Sequence, residues 1–180
     1  MIGLRQVLDY DDYAAIPPDG KRYELLSGDV HVPPAPSPLH QWVSKRLQRQ
    51  LEAYFGGRQL GRVYNAPLDV ILTPHDVVQP DLVVVTDPSQ VSARGIEGAP
   101  TLLVEVIAPS TLLYDRTTKS RRYAALGVPH LWLVEPDPRR LECYRLEGAA
   151  YQRVAVAERD ARLESPDWPG LVISLAELAE

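Results

Sequence analysis

The chain has 180 residues, of which 45% are hydrophobic, and its formal net charge is −5. This length predicts one domain, spanning 1–180, with one sizeable core. No apolar stretch of about 20 residues and no signal peptide occurs, which favours a cytoplasmic protein without a membrane partner. The single cysteine, Cys143, excludes an internal disulfide and a multi-cysteine zinc site. The acidic charge argues against a protein that coats nucleic acid with its whole surface.

The first third of the chain predicts a short helix, a hairpin and a long helix. The first helical segment covers about residues 6–15 and ends at the sequence PPDG. The segment RYELLSGDVHV predicts two short strands around an SGD turn. After the loop PPAPSP, apolar residues recur at helical spacing from Leu39 to Tyr54, and a Gly-Gly pair ends this amphipathic helix.

The rest of the chain predicts strands around one further helix. The strand-like segments are RVYNAPLDVIL, DLVVV, TLLVEVI, HLWLVEP and LECYRL, with a turn-rich loop over residues 86–100. DLVVV and TLLVEVI are continuous apolar runs, which are typical of strands buried on both faces. A helix from about Leu113 to Leu126, closed by Gly127, separates TLLVEVI from HLWLVEP and indicates a crossover onto one sheet. The fold class is therefore α/β with a mixed sheet.

Two carboxylates accompany the buried strands. Asp81 begins DLVVV, and Glu105 stands inside TLLVEVI. An ionised carboxylate in such a strand costs several kcal/mol unless a cation or a metal meets it. Adjacent strands would bring these two side chains together, and hard oxygen ligands suit Mg²⁺ or Mn²⁺. The structural alternatives are a strand-entry cap for Asp81 and, for Glu105, an ion pair with a cation of the following helix.

A basic segment, DRTTKSRRYAALG, follows Glu105. Its cations are Arg116, Lys119, Arg121 and Arg122. A solvated helix face is the simpler interpretation, and a local patch that binds nucleic acid is the other.

These motifs together resemble the Uma-type restriction endonuclease family of the PD-(D/E)XK nuclease superfamily. The resemblance rests on YELLSGDV, VVQPDLVVV, LLVEVIAPST and DRTTKSRRYAALGVPHLWLVEP, which cover most of the chain from Tyr23 to Glu135 in the family's order. It implies a restriction-endonuclease-like core, with a mixed β-sheet flanked by helices and, here, an N-terminal helix and β-hairpin. It also implies metal-dependent hydrolysis of phosphodiester bonds in nucleic acid, with DNA as the expected substrate.

The resemblance further implies a metal site. Carried over by position, Asp81 of the PD motif and Glu105 of VEV are metal ligands, together with the backbone carbonyl of Val106. Glu24 of YELLSG is the additional N-terminal acid, which binds the metal or a bridging water. The expected cofactor is Mg²⁺ or Mn²⁺.

The chain departs from the superfamily pattern at the lysine. The pattern has a lysine two residues after the glutamate, where this chain has Ile107. The resemblance implies that Lys119 of the following helix replaces it and that Arg122 lies near the phosphate. The alternative for Lys119 is an exposed ion pair with Asp115. His40 of LHQWV matches the family's H-Q pair and lines the cleft, or is simply a helix-start residue in contact with water.

Two other classes of protein stay open. A chain that keeps the nuclease fold with little or no turnover would bind nucleic acid or a protein partner, which fits the acidic charge and the displaced lysine. A structural or assembly protein would use the same carboxylates only in ion pairs, and Mg²⁺ would then not bind. Because double-strand cleavage by a single-site domain usually requires two copies, a homodimer is expected, with the N-terminal segment and the C-terminal SLAELAE as candidate contacts.

Overall fold

The computed structural model describes residues 7–179 and shows a mixed α/β fold with three sheets in that range. The helices are α1 (Tyr10–Ala14), α2 (Pro38–Phe55), α3 (Leu112–Tyr114) and α4 (Ser120–Ala125), with a π-helical turn (Asp115–Lys119) between α3 and α4 and 3-10 turns at Pro88–Gln90 and Ala176–Leu178. The strands are β1 (Glu24–Leu26), β2 (Asp29–His31), β3 (Arg62–Asn65), β4 (Val70–Thr73), β5 (Asp76–Val78), β6 (Leu82–Val85), β7 (Ile96–Glu97), β8 (Leu102–Val106), β9 (His130–Pro136), β10 (Arg139–Glu147), β11 (Ala150–Glu158), β12 (Arg162–Glu164) and β13 (Val172–Ser174).

The largest sheet has six strands in the order β11-β10-β9-β8-β6-β3. β8 and β9 are parallel, and the other neighbouring strands are antiparallel, so the sheet is mixed as predicted. The helical segment 112–125 connects β8 to β9, which confirms the crossover. Every residue of β6 and β8 is buried, because both faces of these central strands are covered.

Helix α2 covers one face of this sheet. It begins after Ser37, whose side chain accepts a hydrogen bond from the backbone N–H of His40. Val43, Leu47 and Leu51 follow one another at four-residue spacing, are almost fully buried, and belong to the same apolar cluster as residues of β6, β8 and β9. This packing fixes the start of α2 beside the ends of the central strands.

The predicted N-terminal elements are present within the described residues. Helix α1 lies inside the predicted segment, whose first residue, number 6, lies outside the described residues. A capping box formed by Asp9 and Asp12 defines where α1 begins. The hairpin β1–β2 turns at Ser27 and Gly28, which have φ of 53° and 79°. Positive φ at both positions matches the two-residue turns that suit the twist of a hairpin.

The segment RVYNAPLDVIL differs from the prediction because it divides between two sheets. β3 pairs with β6 in the large sheet, whereas β4 pairs with β5 and β7 in a five-stranded sheet of order β2-β1-β5-β4-β7. Pro67 lies between them, and a proline has no N–H to continue a ladder. β7 also falls inside the loop predicted over residues 86–100, since two residues are too few to show a strand pattern. Among residues 7–179, no helix is long and apolar enough to cross a membrane.

Candidate active site

Four carboxylates and one lysine line a single small pocket beside the start of α2. They are Glu24, Asp81, Glu105, Asp115 and Lys119, here called the acid cluster. Each is at most 8% exposed. β1, the start of β6, β8 and the π-helical turn supply them, so four separate parts of the chain meet at this point. Three of the four predicted catalytic residues are acids, and all four lie in this cluster with Asp115.

Asp81 and Glu105 come together because β6 and β8 are neighbours. The antiparallel register pairs Leu82 with Val104, which places the preceding Asp81 beside Glu105. The backbone N–H of Val106 donates a hydrogen bond of 2.7 Å to Asp81 Oδ2. His40 Nε2 lies 3.2 Å from the same oxygen. Asp81 is thus held from the strand on one side and from helix α2 on the other.

Lys119 reaches the acid cluster from the helical segment. Its Nζ lies 2.8 Å from Glu105 Oε1 and 3.1 Å from Glu24 Oε1. Ile107, which holds the position of the superfamily lysine in the strand, is buried in an apolar cluster instead. The exposed Asp115–Lys119 pair considered above does not form, because both side chains are buried. The helix therefore supplies the ammonium that the strand lacks.

The π-helical turn directs these side chains inward. The backbone N–H of Ser120 donates to the carbonyl of Asp115, five residues earlier, and Ser120 Oγ donates to the same carbonyl at 2.7 Å. Thr117 Oγ1 donates to the carbonyl of Leu113 at 2.6 Å. A π turn holds one residue more than an α-helical turn, and such turns are frequent at functional sites. Lys119, the last residue of this turn, and Tyr123, in the α4 helix that follows, are both buried.

Tyr123 is a residue of the site that the sequence did not single out as functional. Its hydroxyl donates a hydrogen bond of 2.7 Å to Glu105 Oε1, the oxygen that also faces Lys119. One oxygen of Glu105 thus accepts a hydrogen bond from Tyr123 and forms the ion pair with Lys119, which fixes the orientation of the carboxylate. The signal available in the sequence was the spacing of four between Lys119 and Tyr123, which places both on one helix face.

Burial dominates the electrostatics of the cluster. Desolvation raises the pKa of Glu105 to about 7; the Lys119 ammonium opposes this shift, and the charges of Asp81 and Glu24 add to it. Desolvation also raises the pKa of Asp115, again against the attraction of Lys119. For His40 desolvation lowers the pKa, but the hydrogen bond to Asp81 and its charge outweigh this, so the pKa is raised. Four carboxylates thus share one lysine, an arrangement that favours binding of a further cation.

The donor chemistry of the cluster fits a hard divalent cation. Carboxylate oxygens are the ligands that Mg²⁺ and Mn²⁺ prefer. Within residues 7–179, one oxygen each of Glu24, Asp81 and Glu105 accepts hydrogen bonds while the second oxygen of each accepts none. In the same range no three acidic, histidine or cysteine side chains close on one point, since Lys119 lies between Glu24 and Glu105. Small rotations of the acids would be needed to complete a site.

The structure does not bring Arg122 to the acid cluster. Its guanidinium donates two hydrogen bonds to the carboxylate of Asp76, which is fully buried on β5. Arg116 likewise forms ion pairs with Glu142 and Glu135. Together with Lys119, three of the four cations of the basic segment are therefore neutralised by carboxylates. The structure thus pairs Arg122 with Asp76, away from the acid cluster, and its expected place near a phosphate stays a prediction.

Arg22 is a second residue of the site that the sequence did not indicate. It immediately precedes the YELLSG motif and lines the same pocket as the acid cluster. One of its terminal nitrogens donates to the backbone carbonyl of Gln79, and its Nε is buried without a partner among the described residues. His40 likewise keeps a buried Nδ1 without a partner in that range, while its Nε2 faces Asp81.

Comparison with known proteins identifies the family. The model of the Uma2 family, described as "Putative restriction endonuclease", matches residues 10–176. The chain belongs to the Uma2 family. The description of the family is that of a restriction endonuclease, and restriction-endonuclease-like families generally depend on divalent metal ions.

Two relatives accompany the Uma2 match. A crystal structure described as a "putative nuclease belonging to DUF820" from Anabaena variabilis is similar in fold, with a TM-score of 0.75, 19% identity, and coverage of 95% of this chain and 97% of that one. An uncharacterised protein of Synechocystis sp. is 30% identical over 105 residues, which are 58% of this chain and 55% of that protein. The match thus spans about half the length of this curated relative.

Proposed function

We propose that this Uma2 protein is a Mg²⁺- or Mn²⁺-dependent endonuclease that hydrolyses phosphodiester bonds of DNA. The observation that supports this most is the position of Lys119, whose Nζ lies 2.8 Å from Glu105 although Ile107 stands at the usual strand position. A purely structural ion pair needs about one carboxylate for each cation. Here four buried carboxylates share one pocket with a single lysine, which costs stability and therefore indicates a function.

In this proposal the acids bind the metal and the helix supplies the positive charge. Asp81, Glu105 and the backbone carbonyl of Val106 would hold the cation, and Glu24 would bind it or a bridging water. A divalent cation bound there lowers the pKa of water and offsets negative charge on the phosphate. Lys119 Nζ orients the attacking water and stabilises charge that develops in the transition state.

The neighbouring side chains keep these groups in place. Tyr123 holds the carboxylate of Glu105 through the oxygen that also faces Lys119, which leaves the second oxygen directed elsewhere. His40 contacts Asp81 and occupies the border of the pocket, so it positions an acid and lines the cleft at once. The walls of the pocket include Pro33, Pro34 and Ala35 from the loop before α2.

The proposal includes a homodimer, because two copies place one site on each strand of a duplex. The N-terminal segment and the C-terminal SLAELAE stay the predicted contacts, and residues 1–6 and 180 of these segments lie outside the described residues. A single domain over 1–180 and a cytoplasmic location also stay predictions.

The test is cleavage of plasmid DNA with Mg²⁺, with Mn²⁺ and with EDTA. We expect cleavage with either ion and none with EDTA. Asp81→Ala, Glu105→Gln and Lys119→Ala should each reduce the rate by about 100-fold or more, since each removes a group that acts on the reacting atoms. Glu164→Gln is the matched control, because Glu164 is an exposed carboxylate of β12. Full metal-dependent cleavage by Asp81→Ala or Glu105→Gln would contradict the site.

A nuclease-fold module that binds without cleaving is the second candidate. One observation favours it: Lys119 already bridges Glu24 and Glu105, so part of the acid cluster is neutralised without metal. Calorimetric titration with Mn²⁺ separates the two functions. Saturable binding that Glu105→Gln abolishes supports the enzyme, whereas no binding of Mn²⁺ together with binding of uncleaved DNA supports the module.

A further inference from the structure

Helix α2 carries an excess of positive charge in an acidic protein. It contains Lys45, Arg46 and Arg49 but only one carboxylate, Glu52, while the whole chain has a net charge of −5. Lys45 and Arg49 are exposed, and their spacing of four residues places them side by side. Within residues 7–179, neither forms an ion pair with a carboxylate; Lys45 lies 6.0 Å from the ring centroid of Trp42. Helix α2 therefore has two exposed cations, Lys45 and Arg49, that no carboxylate of the described residues neutralises.

A groove runs along this side of α2 and opens into the acid cluster. Its α2 wall consists of Gln41, Ser44, Lys45 and Gln48, and the facing wall contains Asn65, Ala66 and Pro67 from the connection after β3. Asp81 and His40 line both the groove and the pocket of the acid cluster, so the two spaces are continuous. Amide, hydroxyl and ammonium groups of this kind make most protein contacts to phosphate and sugar.

Arg22 lies where the groove meets the pocket and lines both. It is partly buried, and its described partner is a neutral backbone carbonyl, that of Gln79. Its Nε is buried without a partner among the described residues. A guanidinium that lacks an anion at this position matches a phosphate, which guanidinium groups bind with two parallel hydrogen bonds.

We propose that the groove side of α2 is the surface along which one strand of a DNA duplex runs to the acid cluster. Lys45, Arg49 and Arg22 contact successive phosphates, and Gln41 and Gln48 bind the sugar-phosphate backbone. This inference rests on the proposed function, since it names the path of that enzyme's substrate. Most side chains that line the groove are polar, and Arg22 and Lys45 are cationic, which favours a nucleic acid over an apolar protein segment. The surface contacts the backbone, so binding along it is largely independent of base sequence.

The test measures binding without cleavage. Fluorescence anisotropy of a labelled DNA duplex in EDTA gives Kd over a range of NaCl concentrations for the wild type and for the double variant Lys45→Glu/Arg49→Glu. We expect Kd to rise about tenfold or more and the slope of log K against log [NaCl] to decrease in magnitude by about 2, one for each lost phosphate contact. Arg121→Glu/Arg162→Glu is the matched control, because it changes the net charge equally and both arginines are exposed cations of elements other than α2, namely α4 and β12.

The proposed surface is wrong if the double variant binds DNA as the wild type does, or if Arg121→Glu/Arg162→Glu weakens binding equally. Absence of DNA binding by the wild type also overturns it. Circular dichroism checks that each variant folds, and the neutral pair Lys45→Gln/Arg49→Gln replaces any variant that does not. If the wild type cleaves DNA and the double variant has the same KM, the proposed DNA-binding surface is refuted but the proposed nuclease activity is not. If DNA binds through α2 but is not cleaved with any divalent ion, the proposed nuclease activity is refuted but the DNA-binding surface is not.

Discussion

The ion pair between Arg122 and Asp76 predicts a large loss of stability from a single substitution. Asp76 is fully buried and accepts hydrogen bonds from Arg122 Nε at 2.7 Å, from the Ser27 backbone N–H at 2.9 Å and from Thr73 Oγ1 at 2.7 Å. In Arg122→Met, two neutral donors remain but the countercharge is lost. Removing one partner of a buried ion pair costs about 3–5 kcal/mol.

The lower end of that range applies here. The Arg122 side chain is 33% exposed, so water can partly replace it. We therefore expect a decrease of about 3 kcal/mol in the free energy of unfolding and, at about 2–4 °C for each kcal/mol, a decrease of about 6–12 °C in Tm. Urea denaturation followed by circular dichroism measures the first quantity. Arg121→Met, which removes an exposed neighbour, is the control and should change stability by less than about 0.5 kcal/mol.

The pH dependence provides a second check on the same pair. Burial raises the pKa of Asp76, but the hydrogen bond from Arg122 and the other donors outweigh it, so the folded-state pKa lies below the usual 3.8. A carboxylate with a lowered pKa stabilises the fold above its unfolded pKa, and this stabilisation is lost as the pH falls through the folded value. Without Arg122, burial is opposed only by neutral donors, so Asp76 of Arg122→Met takes up a proton at a higher pH than Asp76 of the wild type. The difference in stability between the two proteins should thus be full at pH 7 and shrink as the pH falls and Asp76 becomes protonated. A difference under about 1 kcal/mol at pH 7 would refute the reasoning.

Three further substitutions test the buried polar groups. Lys119→Met leaves Glu24 and Glu105 without a cation, so it should lower stability by about 3 kcal/mol at pH 8. The loss should be smaller at pH 5, below the pKa of about 7 that burial gives Glu105, because a protonated Glu105 needs no countercharge; urea denaturation at both pH values measures this. Tyr123→Phe removes the hydrogen bond to Glu105 and should weaken Mn²⁺ binding about tenfold by calorimetry; unchanged affinity would exclude the positioning role. Glu142→Gln removes a carboxylate whose pKa three arginines lower to about 2 although burial opposes them. Its stability deficit should therefore disappear as the pH falls from 4.5 to about 2.

The sequence was sufficient to predict where the acids meet. The apolar runs around Asp81 and Glu105 are long enough to require burial on both faces, and this places both strands at the centre of one sheet. Since central strands of consecutive order are often neighbours, the two carboxylates were expected to be close. The helix after β8 likewise follows from its apolar spacing and from Gly127. These predictions depend on local pattern, which a single sequence contains.

Features that depend on distant partners were not predictable in this way. Nothing near Arg122 shows that Asp76, 46 residues earlier, would bind it, so four cations close in sequence suggested a patch that the fold neutralises. β11 was not predicted because its apolar stretch, residues 154–157, is only four residues long and half alanine, and five of its nine residues are exposed. For α2, the apolar positions predicted a packed helix, but whether its cations are free depends on side chains from other elements.

The π-helical turn has a consequence for comparing this chain with its relatives. A turn of this kind is a one-residue insertion inside a helix, and removing that residue rotates everything on one side of it by about 100° relative to the other. A homologue without the insertion would need its lysine one position away to reach the same carboxylates. Counting residues from Glu105 is therefore a poor way to find the equivalent of Lys119, and alignments of the family should be anchored on Tyr123 and the start of β9 instead.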